Sequence, residues 1–284
     1  MKILRDIKKM QRLAADLRKE AKAIGFVPTM GALHEGHLSL IRKACQENDC
    51  VVVSIFVNPV QFGPKDDFKK YPRNFKRDTF LCKSEGVDII FYPDARSMYA
   101  ADYKTYVNVE GLSNSLCGKF RPGHFRGVAT VVAKLFNIVQ PVRAYFGQKD
   151  AQQVTIIKKV VRDLNIPVQI RALSTLREDD GLAMSSRNSY LSPVERSEAQ
   201  VLSGALDLAK DLIKKGSRDS LLIIRKMRRL IKQKKSASVQ YICVVNPETL
   251  EPIEKIKDKV LIALAVYIGK IRLIDNIMVN LKHG

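Results

Sequence analysis

Two imidazoles stand three residues apart in Gly25-Phe26-Val27-Pro28-Thr29-Met30-Gly31-Ala32-Leu33-His34-Glu35-Gly36-His37-Leu38. Such a pair can hold phosphate oxygens, bind a metal or move a proton. Ile24 to Val27 reads as a short buried strand that Pro28 ends, and Leu38, Leu40, Ile41 and Ala44 follow at helical spacing from Gly36. The histidines therefore sit where a strand hands over to a helix. Free backbone N–H groups and the positive end of a helix dipole make that place a seat for phosphate. Gly31 and Gly36 let the backbone pass close to a ligand. Three readings compete. The first is two satisfied packing histidines. The second is a zinc half-site, but the zincin pattern His-Glu-x-x-His needs a histidine where Leu38 stands. The third is the nucleotide-binding His-x-Gly-His, which His-Glu-Gly-His fits. The chain has 4 histidines. His34, His37 and His124 lie in Gly/Pro-rich turns, which favours chemistry over packing.

Other polar groups fall beyond strand-like runs. Asn58 and Gln61 follow the apolar run Cys50–Val57, where an open parallel sheet binds its ligands and where they can hydrogen-bond a substrate. Gly147-Gln148-Lys149-Asp150 follows the strand-like Val142–Gly147 and opens a helix that carries Gln153. Ser174 to Asn188 is a Gly/Ser-rich loop ending in a cation, Arg187, and suits polyphosphate. Gly118 to Gly127, with Lys119, Arg121, His124 and Arg126, reads as a lid or an anion-contacting loop.

The elements that must position these residues alternate. A helix over 4–21, the first strand, a helix to Glu47 and the run from Cys50 form a βαβ unit. A short helical segment across Asp66–Arg73, a helix over Phe75–Ser84 and a strand over Val87–Tyr92 follow. Residues 93–125 read as irregular, before a long apolar helix from Val128. A helix to Leu164 and a strand over Val168–Leu173 complete the repeat. After Ser192-Pro193 the order becomes two helices (193–215 and 218–235) and three strands (Val239–Val245, Val260–Ile268, Lys270–Val279). This predicts an α/β chain: a Rossmann-like parallel-sheet domain over 1–180 and a smaller α+β domain over 181–284.

Composition narrows the classes. A 46% hydrophobic and 27% charged chain of 284 residues is an ordinary globular protein. No apolar run approaches the ~20 residues of a membrane span. The start Met1-Lys2-Ile3-Leu4-Arg5-Asp6 is not a secretory signal, so the cytoplasm is expected. The 5 cysteines show no Cys-x-x-Cys. Cys45, Cys82 and Cys243 read as small buried hydrophobes and Cys117 as more exposed. The net charge of +20 fits nucleic acid or small anions equally. The densest basic stretch, Arg225–Lys235, alternates with apolar residues at helical spacing and holds no aromatic side chain, so it reads as a solvated helix face.

Taken together, Pro28–Leu38, Asn58–Gly63 with Tyr71-Pro72-Arg73, Arg121–Asn137, Phe146–Gln153 and Arg177–Asn188 resemble the pantoate–β-alanine ligases, members of the His-x-Gly-His nucleotidyltransferase superfamily. The resemblance implies an AMP-forming acid–amine ligase of the pantothenate route to coenzyme A, a homodimer using ATP and Mg²⁺. Pantoate would attack the α-phosphate of ATP, and β-alanine would displace AMP from pantoyl adenylate. It further implies an ATP site made of Met30, Gly31, Ala32, Leu33, His34, Glu35, Gly36, His37, Gly147, Gln148, Lys149, Asp150, Leu176, Met184, Ser185, Ser186 and Arg187. His37 would be the proton donor, with His34, Lys149 and Arg187 as its catalytic companions, and Gln61 and Gln153 would bind pantoate. The metal ligands are left unknown. Gln148, Ala151 and Cys117 depart from the residues usual in the family. An aminoacyl-tRNA synthetase fragment is disfavoured by the short chain and by Met184-Ser185-Ser186-Arg187 in place of a lysine-ended loop. An RNA-binding module rests only on the charge.

Overall fold

A computed structural model describes residues 1–64 and 66–281. Nine strands form two sheets. The larger is built from β1 (Lys2–Leu4), β2 (Ile24–Thr29), β3 (Cys50–Ile55), β4 (Ile89–Phe91), β5 (Arg143–Gly147) and β6 (Gln169–Leu173). Its order is β1-β4-β3-β2-β5-β6 and every pairing is parallel. Helices cover both faces, so the strands are apolar on both sides. Phe26, Val52, Phe91 and Phe146 face one core, shared with α1 (Ile7–Lys19), α6 (His124–Val139) and α7 (Ala151–Asp163). Their neighbours Val27, Val51, Val53, Ile90 and Tyr145 face the other, under α2 (Glu35–Glu47) and α3 (Phe75–Ser84).

The smaller sheet is antiparallel, β7 (Ala237–Val245), β8 (Val260–Ile268) and β9 (Ile271–Val279), with β9 at one edge. One face packs on α8 (Pro193–Ala199), α9 (Val201–Lys214) and α10 (Ser220–Ile231) through Leu202, Leu206, Ile223 and Met227. The other face, with Tyr241, Leu261 and Ala263, joins the first core of the parallel sheet. The hydrophobic interior is therefore continuous from one sheet to the other. On α10 the apolar stripe is buried and the cations face outward, as the spacing predicts.

Several expectations are corrected. Pro28 does not end its strand. It pairs in register with Ser54 inside β2. Ile24 O bonds toward β5 and Thr29 O toward β3, so the Pro28 nitrogen faces β5. The β2–β5 ladder has ended by Phe26, and no ladder bond is lost. Leu4 belongs to the edge strand β1, and the first helix starts at Ile7 rather than at residue 4. Asp66 to Arg73 is a set of turns, not a helix. Within 93–125 lie two short helices, α4 (Ala95–Met98) and α5 (Leu116–Phe120). The pattern over 193–215 is two helices that break at Gln200. Cys117 is buried against Tyr241 rather than exposed, while Cys45 and Cys243 are only half-buried.

The expected lid over 118–127 is a packed structure as well. Gly118 lies in α5 and Gly127 in the first turn of α6. A Cβ on Gly127 would sit 2.6 Å from Val60 O and 2.7 Å from Gln61 N, so α6 lies directly on the turn that carries Gln61. Gly127→Ala should cost about 1–3 kcal/mol, because backbone stands where the methyl must go. Gly204, exposed in α9 with nothing within 4 Å of its Cβ position, makes the contrast. Gly204→Ala should add about 0.5–1 kcal/mol of stability by its helix propensity alone. Denaturant unfolding of the two variants measures both, and a Gly127→Ala protein as stable as its parent would contradict the packing described.

Candidate active site

In the sheet order, the chain leaves β2 toward β3 on one side and leaves β5 toward β6 on the other. The carboxyl ends of β2 and β5 thus meet at a switch point, where connections diverge and leave a crevice. A cavity of about 290 Å³ opens there. Its walls come from the His turn after β2, the turn after β3, the turn after β5, the 174–187 loop and strand β9.

The His turn is held from below. Asp78 of α3, 1% exposed, accepts hydrogen bonds from Ala32 N at 2.9 Å and Leu33 N at 2.8 Å. These two N–H groups are therefore engaged by a carboxylate and are not free for phosphate; they precede the N-cap His34, so the first turn of α2 is a separate set. Gly31, Ala32, Leu33, Glu35 and Gln148 lie outside the cavity wall, while Met30, His34, Gly36 and His37 are on it. Leu33 is fully enclosed in the core below the turn, and Glu35 pairs with Arg42. Gly36 has no room for a side chain: its Cβ would meet the His34 ring at 3.0 Å.

The two imidazoles are 4.1 Å apart between ring centres. His34 N lies 3.4 Å from His37 Nδ1 and points its hydrogen at it. Nδ1 therefore carries no proton, and the His37 proton sits on Nε2. Burial, then His34 and Lys149, pushes the His37 pKa down to about 3. Burial and Lys149 push His34 down to about 4. Both rings are neutral at pH 7. His34 Nδ1 is buried with no hydrogen-bond partner among the described residues.

On the opposite wall, Gln61 is 8% exposed. Its Oε1 accepts from Asn58 Nδ2 at 3.1 Å. Asn58, expected to touch substrate, instead spends its amide on Gln61, Gly127 O and the Tyr99 hydroxyl. His124 Nδ1–H donates to Gln61 O at 2.8 Å while Nε2 accepts from Arg121, which in turn pairs with Asp66. Burial and Arg121 lower His124 to about 4. His124 thus positions Gln61, and the charge of Arg121 is engaged by Asp66. Gln153 faces the cavity, and its amide binds no described protein group. The neighbouring Gln152 also lines the cavity, but its amide is spent on Cys117 N, Leu112 O and Ser115 O.

The cations differ in availability. Lys149 lines the cavity with no carboxylate in ion-pair range among the described residues. Arg187 also reaches it, but its guanidinium is bidentate on Asp67 at 2.8 and 2.9 Å, so its charge is already engaged. Leu176, Met184, Ser185 and Ser186 complete that wall. Among the described residues no group of three or more His, Cys, Asp or Glu is placed to hold a metal ion. Mg²⁺ on a nucleotide draws most ligands from phosphate and water and needs one or two carboxylates. Asp150, exposed on the wall next to Lys149, is a carboxylate of that kind.

Four residues of the site escape the sequence reading. Asp78 had a signal, an acid at the third step of the apolar stripe Phe75, Asp78, Cys82. Asp275 and Asn276 had another, two polar residues inside the apolar run Ile271–Val279. Asp67, in a turn, had none.

The family model described as pantoate-β-alanine ligase matches residues 2–278. A pantothenate synthetase of Caldicellulosiruptor bescii is 57% identical over 99% of this chain and 100% of its own. One from Thermotoga petrophila is 54% identical over 97% of this chain and 99% of its own. A pantothenate synthetase structure from Thermus thermophilus superposes with a TM-score of 0.92 at 43% identity, covering 98% of this chain and 99% of that one. A pantoate-β-alanine ligase from Francisella tularensis, complexed with β,γ-ATP and β-alanine, gives 0.79 at 37% identity over 98% and 97%.

The three described histidines tie stability to pH. Their folded pKa values lie at about 4, about 3 and about 4, below the ordinary 6.5. Between those values and 6.5 the unfolded chain binds protons that the folded chain does not. The stability is therefore complete above pH ~6.5 and is lost as pH falls toward 3–4. The melting temperature should drop from pH 7 to pH 5, before most carboxylates titrate. His124→Asn should flatten that slope, and a slope that does not change would place the imidazole in water.

Proposed function

The chain belongs to the pantoate–β-alanine ligase family, and on that premise we propose that the β2–β5 cavity joins pantoate to β-alanine through pantoyl adenylate. A pantoate carboxylate oxygen attacks the α-phosphorus of ATP, the bond to the bridging oxygen breaks, and pyrophosphate leaves. The β-alanine amine then attacks the acyl carbon, loses a proton, and AMP departs with the attacking oxygen. One observation carries this reading. Two neutral imidazoles and a lysine with no carboxylate partner among the described residues share one cavity with two glutamines at the switch point.

Each residue then has a physical task. Lys149 offers a fixed charge to the α-phosphate and the departing pyrophosphate. His37 is neutral at pH 7, so it donates a hydrogen bond from Nε2–H rather than delivering a proton as an acid. His34 assists from the same turn. Gly147, Lys149, Asp150, Leu176 and Met184 to Arg187 hold ATP, and Arg187 does so while anchored on Asp67. Gln61 and Gln153 hold pantoate by its hydroxyl or carboxylate oxygens. Mg²⁺ bound with ATP would neutralise phosphate charge, and Asp150 would hold it. Such a site needs no side-chain nucleophile, because ATP activates the acid.

We further read 1–180 and 181–284 as the two domains, and the active protein as a cytoplasmic homodimer, which the family resemblance supports. No described helix is long and apolar enough to cross a membrane. The basic face of α10 holds no aromatic residue for stacking on bases, which supports small-molecule substrates over nucleic acid.

With ATP, pantoate, Mg²⁺ and β-alanine, the nucleotide product should be AMP, formed one for one with pantothenate. With β-alanine omitted, labelled pyrophosphate should still exchange into ATP. ADP as product, or exchange that requires β-alanine, would contradict the two-step route. Lys149→Ala should lower the exchange rate about 10²–10³-fold. Gln61→Ala and Gln153→Ala should raise the KM for pantoate more than that for ATP, and an unchanged pantoate KM in both would remove them from the site.

A further inference from the structure

Strand β9 lies at a sheet edge, and its consecutive residues Asp275 and Asn276 point to opposite faces. Asp275 pairs in register with Leu264, in the core under the helices of the smaller sheet. Asn276 pairs with Ala263, in the core shared with the parallel sheet. Both are nearly enclosed, at 2% and 4% exposed. Both reach across to the phosphate-facing loops.

Asp275 accepts a fork from Arg177, at 2.7 Å from Nη1 and 3.1 Å from Nη2. Arg177 also donates to Gly181 O and bridges to Ala183, which pins the loop that carries Leu176 and Met184–Arg187. Asn276 Nδ2 donates to Gln148 O at 3.0 Å and to Lys149 O at 2.8 Å. Two carbonyls there leave the amide one orientation, because only its NH₂ can face them. Its oxygen is then buried with no partner among the described residues. A buried acceptor without a donor lowers stability, and in a natural structure it asks for a reason other than stability.

We propose that Asn276 is a positioning residue for adenylation. It fixes the 148–150 turn so that Lys149 meets the phosphates, while Asp275 fixes the facing loop through Arg177. One dipeptide of the smaller sheet thus sets the spacing of the two phosphate-binding walls. This rests on the role given to Lys149 above. Both residues also line the cavity, but the polar groups named above are spent on its loops.

The test is pantoate-dependent pyrophosphate exchange by the full chain, with thermal melts alongside. Asn276→Ala, and Asn276→Asp, which keeps the shape and loses the donor, should each slow exchange about 10–100-fold. The pantoate KM should stay within about twofold and the melting temperature within a few degrees. In a Lys149→Ala background the same Asn276 change should cost less than about twofold, since the group it positions is gone. Equal losses in both backgrounds, unchanged exchange in the parent background, or melting of both variants below the assay temperature would overturn the proposal. A parent protein that forms no AMP from ATP and pantoate would overturn the adenylation reading first, and that result is seen before any variant is made.

Discussion

A buried carboxylate holds the turn on which the site is built. Asp78 sits under Ala32 and Leu33 and accepts both of their N–H groups. Ala32 is in the left-handed region at φ 51°, a backbone state that costs energy without such support. Leaving two buried N–H groups unpaired would cost about 1–3 kcal/mol each. Asp78 thus converts a strained turn into a fixed platform, and His34 and His37 stand on its far end. The histidines owe their place to α3, an element that touches no substrate in this account.

The same division of labour recurs around the cavity. Gln61 is held by Asn58 and by His124, which are themselves held by α6, Tyr99 and Arg121. The 174–187 loop is held by Arg177 on Asp275, and the Lys149 turn by Asn276. Most charged side chains near the site are consumed by pairing: Arg121 on Asp66, Arg187 on Asp67 and Arg177 on Asp275. Among the described residues, what lines the cavity without an ion pair is Lys149, Asp150 and Arg272, the last held by Gln240 and Cys117, together with two neutral imidazoles and the Gln61 and Gln153 amides. A strongly basic chain thus presents a selective site rather than a diffuse basic funnel.

Much of this was legible in the sequence. Continuous apolar runs located β2 and β3, which are buried on both faces, and apolar residues at helical spacing located the long helices. The helix over Phe75–Ser84 was read to the residue. Failures came where tertiary contacts override local signals. Pro28 stays in a strand because its nitrogen faces the end of a ladder, which no local rule can see. Gly118 and Gly127 look like flexibility and are close approaches of backbone to backbone. Within the site, His34, His37, Lys149, Gln61 and Gln153 were brought to one cavity as read. The carboxylates Asp67, Asp78 and Asp275 were not singled out: Asp67 lies in a turn, where acids are common for other reasons, and Asp78 and Asp275 each interrupt an apolar pattern.

The central claim is that a pantoate oxygen attacks the α-phosphorus in this cavity. Pantoate labelled with ¹⁸O in both carboxylate positions tests it directly. Adenylation followed by amine attack moves one labelled oxygen into AMP and leaves the other in the amide carbonyl of the product. Mass spectrometry should therefore find one ¹⁸O in each AMP. Label kept out of AMP, or found in inorganic phosphate, would contradict the account.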